Sequence, residues 1–187
     1  DKRPMLLPTG DVASYLPTHR LYFGKQAMEI RFPNGKTRYG AGVSIKEYAA
    51  YTTAGMLDMF LQLPFELIIS QSYVFTNRGT AINAMSMHQR RMSSSGDKAI
   101  SQMEELTIAM DMAMSGHIGF GDHHMSVFVF EDELEQVEAS ASLCYAELVN
   151  CGIMPWREKG GLQPAYWAQL PANAEFISRG SSINTLN

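Results

Sequence analysis

The sequence predicts an α+β fold: a mostly antiparallel, ferredoxin-like split βαβ sheet, extended by an N-terminal hairpin and carrying an inserted helical hairpin. Three observations predict it. Residues 27–32 and 37–46 are alternating or β-branched runs joined by Pro33-Asn34-Gly35, whose Asn and Gly tolerate positive φ and so suit a hairpin turn. Between residues 79 and 115 the apolar period changes to that of a helix. After Gly116 a strand, a helix and a strand follow over 125–156, repeating the order of the stretch from 37 to 76 and giving two split βαβ halves around the helices.

Taken in order, residues 1–17 hold Pro4, Pro8, Gly10 and Pro17 with little periodicity and read as an extended arm. Strands are expected over 19–24, 27–32 and 37–46. Thr52-Thr53 offers an N-cap to a short helix over 54–61, which must stop before Pro64. Residues 65–76 (FELIISQSYVFT) are rich in Ile, Tyr, Val and Phe and predict a long strand. The first hairpin helix, 79–92, sets Ala81, Met85, His88 and Met92 on one face. A turn at 93–96 and an N-cap at Asp97 open the second, which carries Ile100, Met103, Thr107, Met110 and Met114 on its stripe to about Ser115. The run 125–130 has the composition of a fully buried strand. Asp132 and Glu135 suit the N-cap and N3 positions of a helix with Leu134, Val137, Ala141, Cys144, Tyr145 and Leu148 on one side, closing at Asn150-Cys151-Gly152. A short strand over 153–156, a brief helix over 161–168 and a polar tail complete the chain. The domain reading is an arm (1–17), one α+β domain (18–170) with its insertion at 79–115, and a tail (171–187).

Composition narrows the function classes. The 187 residues suit one domain with an elaboration, and the net charge of −4 without a dense Lys/Arg run argues against a nucleic-acid surface. No apolar stretch approaches the roughly 20 residues that span a bilayer and no signal-peptide pattern is read in these residues, so a soluble intracellular chain is expected. Beginning at Asp1 and ending at Asn187, it reads as a piece of something larger. The two cysteines, Cys144 and Cys151, suit a buried thiol and a thiol at a helix end better than a disulfide.

Candidate chemistry is sparse. Gly35-Lys36-Thr37 matches the end of a phosphate loop, but the first glycine of G-x-x-x-x-G-K-[ST] would fall at Ile30, and a strand rather than a helix follows. His117, Asp122, His123 and His124 form the densest set of potential metal ligands, although adjacent residues of a strand point to opposite faces. A metal-binding or enzymatic module built on 117–124 is the alternative reading. No nucleophile motif appears, and Cys144 belongs to a buried helix face. Eight of the thirteen methionines fall between Met85 and Met125. Met103, Met110 and Met114 read as core, whereas Met87, Ile108 and Met112 lie off the main stripes and are the candidate partner-binding residues.

Near the C-terminal end stands Tyr166-Trp167-Ala168-Gln169-Leu170-Pro171-Ala172-Asn173, followed by Arg179, Ile183 and Asn187. This resembles the W-A-Q-L-P-G-N … R … I … N segment of the CagE/TrbE/VirB ATPases of type IV secretion systems, with Ala172 where that family usually has glycine. Tyr39-Gly40-Ala41 with Ile45-Lys46-Glu47-Tyr48, Thr53 to Leu57, Ser115-Gly116 before His123-His124-Met125-Ser126, and Asn150-Cys151-Gly152 ahead of Arg157-Glu158 agree, in the expected order along nearly the whole chain. The resemblance implies the N-terminal domain of a secretion ATPase whose phosphate loop, with ATP and Mg, lies in a RecA-like C-terminal domain after the last residue here. It implies no catalytic, cofactor or metal residue in this chain. It also implies a cytoplasmic, peripheral position at the bacterial inner membrane, partnership with other secretion components including small inner-membrane subunits, and assembly of the whole protein into oligomers, commonly hexamers. Direct nucleic-acid binding is not expected. The functional expectation is a docking and assembly domain; a purely structural spacer is a third reading.

Overall fold

The structure, a computed structural model, describes residues 19–49, 51–94 and 100–185. The expected arm over 1–17 and the N-cap at Asp97 lie outside the described residues. Arg20–Phe23 (β1), Met28–Arg31 (β2) and Thr37–Glu47 (β3) form an antiparallel meander. They are followed by Glu66–Thr76 (β4), Arg78–Ser94 (α1), Ile100–Met114 (α2), Phe120–Glu131 (β5), Leu134–Asn150 (α3), Met154–Arg157 (β6), Leu162–Trp167 (α4) and Ser181–Asn184 (β7).

All pairings are antiparallel, in the order β1-β2-β3-β5-β4, with β6 also on β3 and β7 also on β5. Followed from β6 through β3 and β5 to β4, this is the order of two interleaved split βαβ halves, as expected. The N-terminal hairpin extends the sheet along the first part of β3, and β6 continues on the same edge with a register shift between Ile45 and Glu47, opposite Pro155.

Strand alternation separates two cores. Odd-numbered residues of β3 (Ala41, Val43, Ile45) and of β5 (Met125, Val127, Val129) pack with Val137, Ala141, Cys144 and Leu148 of α3. Leu148 and Val137 are fully buried, each contributing about 1.5–3 kcal/mol of transfer free energy. Leu134 and Tyr145, expected on the same side, are exposed at the rim. On the other face Phe128 and Phe130 pack with Met28, Leu162 and Ala165. Those two rings lie over β3 at Gly40 and Gly42, their cross-strand partners, where a Cβ on Gly42 would stand 2.7 Å from Phe128 Cζ. Small residues on β3 make the room that large ones on β5 fill.

Several elements differ from expectation. The crossover helix expected over 54–61 is a series of turns ending in a 3-10 helix, Asp58–Gln62. Gly55 stands at φ 80° and the bonds there run from residue i+3 to i (Asp58 N–H to Gly55 O, 2.9 Å), so an α-helix never starts. Strand β5 begins at Phe120, before the apolar run, because β4 pairs with it through Phe120 and β7 adds to its other edge. The N-cap of α3 is Glu133 and makes no side-chain capping bond; Asp132 instead accepts from Lys36 Nζ at 2.8 Å and forms an ion pair with Arg38, whose Nε lies 3.1 Å away. The closing glycine is where expected, Gly152 at φ 76°. The segment read as a tail supplies β7.

The inserted helices pack on each other, and neither packs comparably on the sheet, so the hairpin projects from it. Ala81 and Met92 of α1 and Ala113 of α2 are buried, Met85, Met103 and Met110 partly so, while His88 is exposed. Met114 departs from the expected core role and is 64% exposed. A Schellman turn closes α2 behind it, with Gly116 at φ 80° and a bond from His117 N–H to Met112 O at 2.9 Å. The chain turns back there, and Ile118 rather than Met114 is buried.

Candidate functional site

Gly35-Lys36-Thr37 forms the β2–β3 turn. Gly35 N–H donates to Phe32 O at 3.1 Å, Lys36 N–H donates to Asn34 Oδ1 at 3.0 Å, and Gly35 has φ 85°. Its lysine is held by Asp132, and β3 follows where a phosphate site needs a helix N-terminus. These residues do not fit the phosphates of a nucleoside triphosphate.

The four candidate metal ligands are dispersed. His117 lies in the loop after α2 with its Nδ1 2.7 Å from Ser115 Oγ, and the Asp122 carboxylate accepts from Ser182 Oγ–H. His124 is buried on the α4 face, where Nδ1–H donates to the carbonyl of Arg179 at 2.6 Å. His123 points to the α3 face, with Nδ1 2.5 Å from Tyr48 Oη and Nε2 3.3 Å from Gln71 Oε1. The strand's alternation divides the pair of histidines. Among the described residues no three His, Cys, Asp or Glu side chains converge on a common point.

Beside His123 lies a cavity of about 510 Å³, lined mainly by Ile45, Tyr48, Met56, Tyr73, Phe75 and Met125. Burial, and then the neighbouring His124, hold the His123 pKa below its usual value, and burial pushes the Tyr48 phenol up to about 12. Both are therefore neutral near pH 7, a hydrogen-bonded pair in an apolar wall rather than a charged acid or base. The sequence does not pair Tyr48 or Gln71 with His123, because their meeting depends on strand register. Cys144 is buried as expected, and burial raises its thiol to about 12, which keeps it protonated. Both cysteines are free.

The C-terminal motif performs a structural task. Tyr166 and Trp167 pack around Phe23, and Tyr166 also meets Phe128 edge-on. Gln169 Nε2 donates to Tyr166 O at 3.1 Å and its Oε1 faces Ser70 Oγ at 3.5 Å, while Asn173 Nδ2 donates to Trp167 O at 3.2 Å. Arg179 then reaches back: its Nε donates to Glu158 Oε1 at 2.8 Å and its guanidinium lies 4.8 Å from the centre of the Trp156 ring. Glu158 is fully buried, so Arg179 supplies the counter-charge that makes this carboxylate tolerable.

Ala172 is the single non-glycine residue at positive φ among those described, at 70°. A Cβ in the left-handed region costs roughly 1–2 kcal/mol, partly offset by the greater backbone entropy that glycine loses on folding. Ala172→Gly is expected to stabilise the chain by about 0.5–1 kcal/mol, read as a higher urea midpoint at unchanged slope. An unchanged or lower midpoint would show that the turn carries no strain.

The projecting hairpin is the candidate interaction site. Met87 is 55% and Ile108 60% exposed, whereas Met112 is half-buried. Ile108 lines a groove of about 570 Å³ with Met103, Thr107, Glu104 and, across from α1, Gln89; Met87 and Met112 do not line it. Gln89 Nε2 donates to Thr107 Oγ1 at 3.1 Å, and Thr107 Oγ1–H donates to Met103 O at 2.8 Å, so a polar latch ties the helices beneath an apolar rim. Thioethers and aliphatic groups around such a groove suit an adaptable apolar contact. Among the described residues no helix is long and apolar enough to cross a membrane.

Comparison with known proteins gives consistent matches. The chain is 36% identical over 181 residues to the type IV secretion system protein virB4 of Bartonella henselae, a match covering 97% of this chain and 23% of that protein. It is 34% identical over 185 residues to protein virB4 of Agrobacterium fabrum, covering 98% and 23%, and 29% identical over 181 residues to the Brucella suis virB4, covering 97% and 22%. It thus spans about a quarter of the length of these relatives and corresponds to their N-terminal region. A family model also matches residues 1–179, and the chain belongs to the CagE, TrbE, VirB family, component of type IV transporter system.

Proposed function

We propose that this chain is a docking and assembly domain. It couples an ATP-hydrolysing motor, located in sequence beyond this chain, to channel components of the inner membrane, and sits peripherally on the cytoplasmic side. On this reading ATP and Mg belong to the motor, the whole protein works as an oligomer, and the hairpin contacts other secretion components, small membrane subunits among them.

The observation that carries the proposal is the hairpin itself: two helices that stand away from the sheet with Met87 and Ile108 open to solvent. Apolar side chains turned outward on a helix pair that stands off the sheet are a surface that a partner can cover. The His117–His124 alternative gains no support from the dispersed geometry of those side chains.

Because Met112 is half-buried, the test uses the two exposed residues. Met87→Glu combined with Ile108→Glu, introduced into the whole protein, is expected to leave the thermal midpoint within about 2 °C of the parent, since exposed substitutions cost little. Its recovery with inner-membrane secretion components from detergent extracts should fall by roughly tenfold or more, as for loss of interface anchors. Unfolding of the double variant, or undiminished recovery of those components, counts against the docking role.

A further inference from the structure

Strand β4 closes the sheet on one side. It pairs with β5 along one edge, and no strand among the described residues pairs with the other. An open edge presents a row of backbone N–H and C=O groups ready to receive another strand, and proteins usually guard it with lysine, proline, a bulge or a covering element. Residues 66–76 contain no Lys, Arg or Pro, and the ladder to β5 runs from Glu66 to Thr76 without a register shift. The single charged side chain, Glu66, stands at the first position of the strand, 58% exposed, and pairs with Arg38 Nη1 at 2.7 Å. The hairpin helices do not pack along this strand.

What the edge would accept is written in its own sequence, ELIISQSYVFT, which is symmetric in polarity about Gln71. Laid antiparallel against a second copy with Gln71 opposite Gln71, it sets Leu67 against Phe75, Ile68 against Val74, Ile69 against Tyr73, Ser70 against Ser72 and Glu66 against Thr76. Every apolar residue meets an apolar one, every polar residue a polar one, and no like charges face each other, the pattern that favours cross-strand pairing. Ile68, Val74 and Phe75 are 45%, 58% and 76% exposed, and this register sets each of them opposite an apolar partner. Pairing a residue with its own copy also keeps odd positions opposite odd ones, so the α3 face of one sheet continues into the α3 face of the other.

We propose that the free edge of β4 is a self-association surface, on which a second copy of this chain adds its own β4 in the register centred on Gln71. The contact is isologous, so it closes as a two-fold pair. It is independent of the hairpin reading, since it uses a different element and a different partner.

Sedimentation velocity on the 187-residue chain tests it, with three variants. The parent is expected to dimerise in the micromolar range. Ile68→Lys with Val74→Lys sets like charges opposite each other twice and should weaken the dimer by roughly tenfold or more. Ile68→Lys with Val74→Glu sets opposite charges in the same two places and should retain it. Both pairs alter exposed positions, and circular dichroism checks that each variant folds. Gln71→Cys in a Cys151→Ser background should crosslink to itself with a short bis-maleimide. A parent that stays monomeric at sub-millimolar concentration, or a dimer that survives the double-lysine change, overturns the proposal. So does a monomer whose β4 amides are all protected from hydrogen exchange, because another segment of the same chain would then fill the edge.

Discussion

Arg179→Ala is expected to cost about 2–4 kcal/mol of stability, lowering the thermal midpoint by roughly 5–12 °C. Removing one partner of a buried ion pair leaves the other charge uncompensated, and Glu158 is fully buried with its Oε2 already lacking a hydrogen-bond partner. The loss stays below the full cost of breaking a buried pair because the Arg179 side chain is itself 33% exposed and water reaches it. Glu158→Gln in the Arg179→Ala background should recover part of the loss, since the charge goes and the shape stays. A double-mutant cycle by urea unfolding measures the coupling, and a coupling near zero would mean that Arg179 acts only through its packing on Trp156. The consequence reaches along the chain, because Arg179 lies just before β7 and its carbonyl holds His124.

The second large effect belongs to Gly42. Gly42→Ala is expected to destabilise by about 1–3 kcal/mol, the cost of overpacking a filled core. The new methyl would meet Phe128 Cζ at 2.7 Å, and that ring is fully buried among Met28, Leu162 and Ala165 with nowhere to swing. Phe128→Leu should be less harmful in the Gly42→Ala background than alone, because the smaller side chain vacates the contested space. Chemical denaturation of the four proteins measures this; additive losses would show that ring and glycine do not compete.

The parts of the fold legible in the sequence are those where local pattern and tertiary demand coincide. Val137, Ala141, Cys144 and Leu148 repeat at helical spacing because one face of α3 lies on the sheet, and the burial follows the pattern. Asn34-Gly35 marks a hairpin because the turn needs positive φ, and that geometry also removes the phosphate-loop meaning of Gly35-Lys36-Thr37. What stayed hidden depends on non-local pairing. Gly121 to His124 precede the apolar run that marks the strand, yet they belong to it because β4 pairs with all four on one side and β7 with the first three on the other. Ser181 to Asn184 have no strand signal of their own and become one by completing that edge. Met114 fits the helical period but sits where a Schellman turn takes the chain away, so period alone misplaced it.

The candidate site was legible in a similar, partial way. Two of the three proposed partner residues, Met87 and Ile108, stand open on the hairpin, because residues off a stripe are off the helix–helix contact. Met112 is half-buried, close to the turn that closes α2. The Tyr48–His123–Gln71 arrangement could not be read, since three segments distant in sequence meet there only through strand register. The buried Glu158 could have been suspected from Arg157-Glu158 and Arg179 both falling in shared segments, though nothing local announces their pairing.

Site-specific photocrosslinking in intact bacteria tests the docking claim most directly. A photoreactive amino acid at position 108 of the whole protein, with another at exposed Glu135 on α3 for comparison, reports what lies against each surface. Crosslinks from position 108 to a membrane-embedded secretion component, absent from position 135, are the expected result. Silence at position 108 in cells that secrete normally would contradict the account.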